Sequence, residues 1–202
     1  MVVVITNPTA LADEATIINN LFEEGLEILH IRKPDISVDE IRLLLQKINI
    51  QYHHKVALHQ HHKLASDFGT KRLHYTETNR RKMSDEILLK FKADNYVLST
   101  SIHSVQAYNS LSNVFDYTFF GPVFNSISKQ GYTAVIADDF IFPVQYNHAK
   151  VIAIGGIDIT NIQQAMNMQF NGAAALGTIW QKPEESIHQF KALQKEWKQK
   201  DQ

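Results

Sequence analysis

Cysteine is absent from this 202-residue chain, so disulfides, thiolate catalysis and cysteine-ligated zinc are excluded, and a reducing compartment, by default the cytoplasm, is the expected location. There is also no excess of charge: 20 basic and 21 acidic residues leave a formal charge of −1. No global field then favours nucleic acid or an acidic membrane surface, and any recognition of charge must be local. No apolar run approaches the ~20 residues that span a bilayer. The opening VVVIT is only a few residues long and lacks a basic flank, so it predicts a strand in a soluble protein rather than a secretion signal. With five prolines and eight glycines spread along the chain, no linker, low-complexity tract or near-identical repeat interrupts it. The length suits one domain spanning residues 1–202, since a domain takes roughly 100 to 200 residues.

What is present is an alternation. Short apolar runs at residues 2–6, 26–31, 55–59, 72–75, 96–101, 117–121, 151–154 and 173–177 predict strands. Between them, residues 11–24 carry Ile17, Ile18, Leu21 and Phe22, and residues 39–48 carry Ile41, Leu44, Leu45 and Ile48, at helical spacing. Ser37 with Glu40 predicts a capping box, Gly25 a helix stop, and Pro183 followed by Glu184 and Glu185 the first turn of a final helix. Apolar strands joined through helices imply a parallel sheet covered by helices, and eight such units are the number that closes a compact α/β (β/α)₈ TIM barrel. An open doubly wound sheet is the competing architecture. The weakest helical signal is at residues 64–68. Residues 121–150 exceed the ~12–15 residues of an ordinary loop and point to a lid or binding loop. Residues 195–202 read as a solvated, frayed tail.

In such a barrel ligands bind where the strands end, and those ends are polar here. Arg32, after the second strand, is the best single anion ligand, because a guanidinium grips phosphate through two parallel hydrogen bonds and stays charged. Lys129, in the hydroxyl-bearing loop with Ser126 and Ser128, could neutralise the same group. Gly155 and Gly156 let backbone amides approach a phosphate, and Gly177 with Thr178 could add another, the usual phosphate position in these barrels. Two anion-binding elements suggest a phosphorylated substrate. The histidines leave alternatives open. His30, His59 and His74 could pack around the mouth, carry protons as general acid or base, or, with a carboxylate, hold a metal. His59 and His61 would share a face if the third strand continued. His53, His54, His148 and His188 read as surface residues.

The segments LHIRKP, STSIHS, GPVFNSISK and VIAIGGI, in that order, resemble the thiamine phosphate synthase and thiazole tautomerase family of compact (β/α)₈ barrels, over nearly the whole chain. The resemblance implies transfer of a pyrimidinylmethyl group from hydroxymethylpyrimidine diphosphate to hydroxyethylthiazole phosphate, releasing pyrophosphate and forming thiamine phosphate. Arg32 and Lys129 would hold pyrophosphate, Ser101 would sit beside the reacting pyrimidine, and Ser126 and Ser128 would contact phosphate oxygens. Gly156 and Gly177 would bind the thiazole phosphate, with Gln60 and His74 among the substrate-binding positions and His30 and His59 among the catalytic ones.

The chain departs from the family pattern. The family's Asn-Asp pair at the end of the third strand falls at His59 and Gln60 and its aspartate after the fourth at Asn79, so Mg²⁺ is implied by the resemblance while the two carboxylates that bind it are absent. The second-strand lysine falls on Pro34, with Lys33 one place early and expected to point elsewhere. His30 stands for a glutamine, and Pro122 for the tautomerase histidine. Two other functions follow from these departures: a tautomerase-like isomerase acting on a phosphorylated thiazole through His30, His59 or His74, and a noncatalytic phosphate-ligand-binding barrel. The expected partners are small phosphorylated molecules, with neither nucleic acid nor membrane, and a second copy of the chain, since barrels this small often self-associate, with Trp180 or Trp197 on the shared surface.

Overall fold

The computed structural model describes residues 1–125, 139–143 and 149–198. In chain order these form β1 (Val2–Ile5), α1 (Glu14–Glu23), β2 (Ile28–Ile31), α2 (Val38–Lys47), β3 (Val56–Leu58), α3 (Leu64–Phe68), β4 (Arg72–Tyr75), α4 (Glu77–Arg80), α5 (Asp85–Ala93), β5 (Val97–Ile102), α6 (Val105–Asn109), β6 (Tyr117–Phe120), β7 (Lys150–Ile154), α7 (Ile162–Asn167), β8 (Gly172–Ala175), α8 (Gly177–Trp180) and α9 (Ser186–Lys198), with 3₁₀ turns at Ile50–Lys55 and Pro183–Glu185. Every strand pairs in parallel with its sequence neighbour, and β8 returns to β1 through Val3 opposite Ala174, closing the barrel. The open-sheet alternative is excluded.

Strand alternation sorts the side chains. Val2, Val4, Leu29 and Ile31 face outward into the layer shared with Ile18, Leu21, Ile41, Leu45 and Phe190 of the helices. Val3, Ile5, Ile28, Tyr117, Phe119, Ile152 and Ala174 fill the barrel interior. The helices stand where local chemistry allows them. Ser37 accepts from the Glu40 amide while Glu40 accepts from the Ser37 amide, the full capping box, and the Ser37 hydroxyl and amide, both donating to the Glu40 carboxylate, hold it below its usual range. Ser84 and Ser104 cap α5 and α6 more simply, their hydroxyls accepting from the Ile87 and Ala107 amides.

Three readings of the sequence are corrected. Trp180 is buried and its indole donates to the Ile5 carbonyl at 2.7 Å, which locks α8 beneath the end of β1 instead of offering a surface. His53 is buried as well, its ring bonded to the carbonyls of Phe68, Leu45 and Ile48. Residues 195–198 continue the last helix, and Trp197 packs partly against the core.

Candidate active site

Because β2 alternates, residues Ile28 and His30 point into the barrel, and Arg32, next in that series, reaches the cavity at its mouth. Lys33 turns the other way. It is 2% exposed, and its ammonium donates to the Asn7 and Thr9 carbonyls and to Glu14 at 2.7–2.8 Å, so all three protons are used behind the β1–α1 connection. Burial raises the Glu14 carboxyl above its usual range while Lys33 opposes the shift. The expectation that Lys33 points away from the mouth agrees with this arrangement.

The cavity measures about 590 Å³, within the size range of small-molecule sites. Arg32, Ser101, Gly155, Gly156, Gly177 and Thr178 line it. Its floor and walls are apolar, from Ile5, Phe119, Ile154 and Leu176, which suits a flat heterocycle between polar ends. No acceptor among the described residues engages the Arg32 guanidinium, although the Arg32 amide is fixed by the Thr6 hydroxyl at 3.0 Å. An uncompensated, half-buried guanidinium in a cavity is an anion site.

Opposite it, the β7 end needs glycine for two reasons. Gly155 and Gly156 have φ of 97° and 65°, and a side chain on Gly156 would come within 2.6 Å of the Asn125 carbonyl. The loop after β6 is thereby pressed onto β7: Val123 donates to Ile154 at 2.9 Å and Phe124 to Gly155 at 3.1 Å. Asn161 holds the turn by donating to the Gly156 carbonyl at 2.7 Å, and Thr178 donates to the Ile157 carbonyl, tying the β8 end to the β7 end.

His30, His59 and His74 do not line the cavity; they form a cluster inside the barrel. His30 Nδ1 lies 2.9 Å from His59 Nε2, and His30 Nε2 lies 2.8 Å from the Tyr117 hydroxyl. His59 and His74 stack at 3.9 Å. His74 Nδ1 is 2.9 Å from the Ser99 hydroxyl and Nε2 3.1 Å from that of Ser101. Ser99 donates to the Leu73 carbonyl, so His74 Nδ1–H donates to Ser99 and Nε2 accepts the Ser101 proton, an assignment made from the network. Ser101 then turns its oxygen lone pairs to the cavity and acts there as an acceptor. Arg80 fixes the same strand end by donating to the Thr100 hydroxyl and the Ser101 carbonyl, each at 3.2 Å.

Burial, reinforced by neighbouring histidines and arginines, pushes His30 and His59 well below the ordinary imidazole range and His74 down to about 3. Tyr117, buried beside them, is pushed up to about 12. The cluster is therefore neutral in the folded chain, whereas unfolded histidines titrate near 6.5. Between those values the unfolded state binds more protons, so this stability is complete above pH ~6.5 and lost as pH falls toward 3, at about 1.4 kcal/mol per pH unit for His74. A lower urea midpoint at pH 5 than at pH 7 is the expected result; equal midpoints would contradict a neutral cluster.

Gln60 lies off the cavity, its amide exchanging hydrogen bonds with the Lys33 backbone. β3 ends at Leu58 and His61 adopts a positive φ, so His59 and His61 do not share a face; His61 approaches the Ile36 carbonyl at 3.3 Å instead. Ser126, Ser128, Lys129 and His148 lie outside the described residues. Sequence reasoning did not pick out Lys182, which lines the cavity beside Glu185 and pairs with it at 3.0 Å. His103 also lines the cavity, donating from Nδ1 to the Gly121 carbonyl.

Comparison with known proteins bears on the same chain length. A family model described as thiamine monophosphate synthase matches residues 2–179. The thiamine-phosphate synthase of Leuconostoc citreum (strain KM20) is 24% identical over 183 residues, covering 85% of this chain and 84% of that one. A thiamine phosphate pyrophosphorylase structure from Bacteroides thetaiotaomicron superposes with a TM-score of 0.73 at 29% identity, covering 96% of each chain. One from Pyrococcus furiosus gives 0.77 at 18% identity, over 98% of this chain and 95% of that chain, a likeness of fold. No helix among the described residues is long and apolar enough to cross a membrane.

Proposed function

Because the chain belongs to the thiamine monophosphate synthase family, we propose that it joins hydroxymethylpyrimidine diphosphate to hydroxyethylthiazole phosphate, releasing pyrophosphate and forming thiamine phosphate. The observation that carries this reading is the Arg32 guanidinium, unpaired among the described residues, in one cavity with the glycine-bearing ends of β7 and β8. A cation faces the diphosphate and backbone amides face the phosphomonoester, so the apolar wall between them holds the two rings.

In the reaction the bond between the pyrimidinylmethyl carbon and the diphosphate oxygen breaks, and its electron pair leaves with pyrophosphate. The thiazole nitrogen then donates its lone pair to the carbon, forming the C–N bond with no net proton transfer. The protein's part is to hold the partners in line and to stabilise the departing charge. Arg32 takes the diphosphate, joined by Lys129, Ser126 and Ser128 of the loop after β6. Ser101, an acceptor by its bond to His74, receives an N–H from the aminopyrimidine and so aligns that ring. Gly156, Gly177 and Thr178 hold the thiazole phosphate. A neutral, hydrogen-bonded histidine cluster supports this transfer over an isomerase reading, because the transfer needs no proton carrier in the barrel interior.

Purified protein incubated with both substrates, once with Mg²⁺ and once with EDTA, is expected to form thiamine phosphate, measured chromatographically. Failure to form product under both conditions, with the thiazole phosphate demonstrably bound, would overturn the reading.

A further inference from the structure

We propose that the cavity takes its diphosphate as the free anion, neutralised by side chains of the chain itself and not bridged by a divalent cation. The identity of that ligand rests on the transferase reading above.

Mg²⁺, which the family resemblance implies, demands near-octahedral oxygen ligands and is usually bound through one or two carboxylates together with phosphate oxygens. Two carboxylates line the cavity among the described residues, Asp158 and Glu185, and each of them, like Glu77 and Glu14, already has a protein donor on at least one oxygen. Glu77 receives Arg81 at 2.6 Å on one oxygen and lies 4.0 Å from His103 on the other. Asp158 receives the Thr160 amide and hydroxyl at 2.8 and 2.6 Å, fixing the turn ahead of α7. Glu185 holds Lys182 and receives Gln189 at 3.4 Å. Glu14 is buried against Lys33 behind β1. Asn79 is exposed and offers only a neutral amide oxygen, which compensates poorly for the charge of a hard cation.

The nearest cluster of ligating atoms is the wrong kind. His30, His59 and His74 bring three nitrogens within 4.8 Å of one another, but imidazole suits borderline metals and not a hard cation. Ring lone pairs lie in the ring plane. His59 and His74 stack with an interplanar angle of 24°, so their lone pairs run side by side and do not converge on one point. Among the described residues, therefore, no set offers Mg²⁺ the carboxylate and oxygen ligands it prefers.

Positive charge is available without it. Among the described residues nothing pairs with the Arg32 guanidinium, and Lys182, which lines the same space, can offer a further ammonium proton to a phosphate oxygen without releasing Glu185.

The test is calorimetric titration of inorganic pyrophosphate into the full chain, first in EDTA and then with excess Mg²⁺. Binding is expected in EDTA, and Mg²⁺ is expected not to tighten it. Arg32→Ala and the stem-conserving Arg32→Gln should each weaken it by about tenfold or more, the worth of a charge-assisted hydrogen bond. Pyrophosphate binding that appears only with Mg²⁺, or that survives both substitutions unchanged, would overturn the proposal. The two ideas fail separately. Product formation that requires Mg²⁺ would keep the transferase and remove this inference; pyrophosphate binding in EDTA without product under either condition would do the reverse.

Discussion

Replacing Arg32 by alanine is expected to lower kcat/KM for thiamine phosphate formation by about 10²- to 10³-fold, the usual cost of removing one preorganised donor from a site of developing charge. The leaving diphosphate gains negative charge as its bond to carbon breaks, and the guanidinium already stands in the cavity with no acceptor among the described residues to abandon. It needs no reorganisation at that moment. Arg32→Lys should recover only part of the loss, because an ammonium is a point donor and cannot make the parallel pair of bonds. The thermal midpoint should stay where it is, since the Arg32 side chain bonds to no neighbour among the described residues. Steady-state kinetics beside a melting curve separates these statements, and a variant with unaltered kcat/KM would remove Arg32 from the site.

The largest effect on stability is expected one residue later. Lys33 and Glu14 form an ion pair at 2.8 Å with side-chain exposures of 2% and 5%, and Lys33 also satisfies two backbone carbonyls. Removing one member leaves the other charge buried without a partner, so Lys33→Met should cost about 3–5 kcal/mol. For a chain of this size that is a fall of roughly 6–20 °C in Tm. Changing both residues, Lys33→Met with Glu14→Leu, should be much milder than either single change, because two apolar side chains can replace a buried pair with little loss. A single variant that melts with the parent would show that the pair contributes nothing.

Arg32 and Lys33 illustrate how far the sequence reaches. Adjacent cations with the same composition value have opposite fates, and the period of the strand decides them. That period is legible once the second strand is assigned, as are the eight apolar runs, one of which, Arg72–Tyr75, has the same bounds in the structure. Ser37 with Glu40 was legible as a capping box for the same local reason. The histidines were not legible to the same degree. Whether His30, His59 and His74 sit at the mouth or beneath it depends on how strands far apart in sequence are staggered around the barrel, and their neutrality is a consequence of that depth. Trp180 was misjudged because its partner, the Ile5 carbonyl, stands 175 positions away. Lys182 was passed over since nothing in its immediate sequence marks it; only the fold brings it to the cavity that Gly177 and Thr178 line.

The central claim is that a cation after the second strand and the glycine amides after the last two strands bind one phosphorylated ligand between them. A crystal structure of the chain with thiamine phosphate and pyrophosphate tests it directly. The account predicts the phosphomonoester at about 3 Å from the amides of Gly156 and Gly177, and pyrophosphate oxygens at about the same distance from the Arg32 guanidinium. Ligands bound elsewhere on the barrel, with Arg32 turned to solvent and the glycine turns untouched, would contradict it.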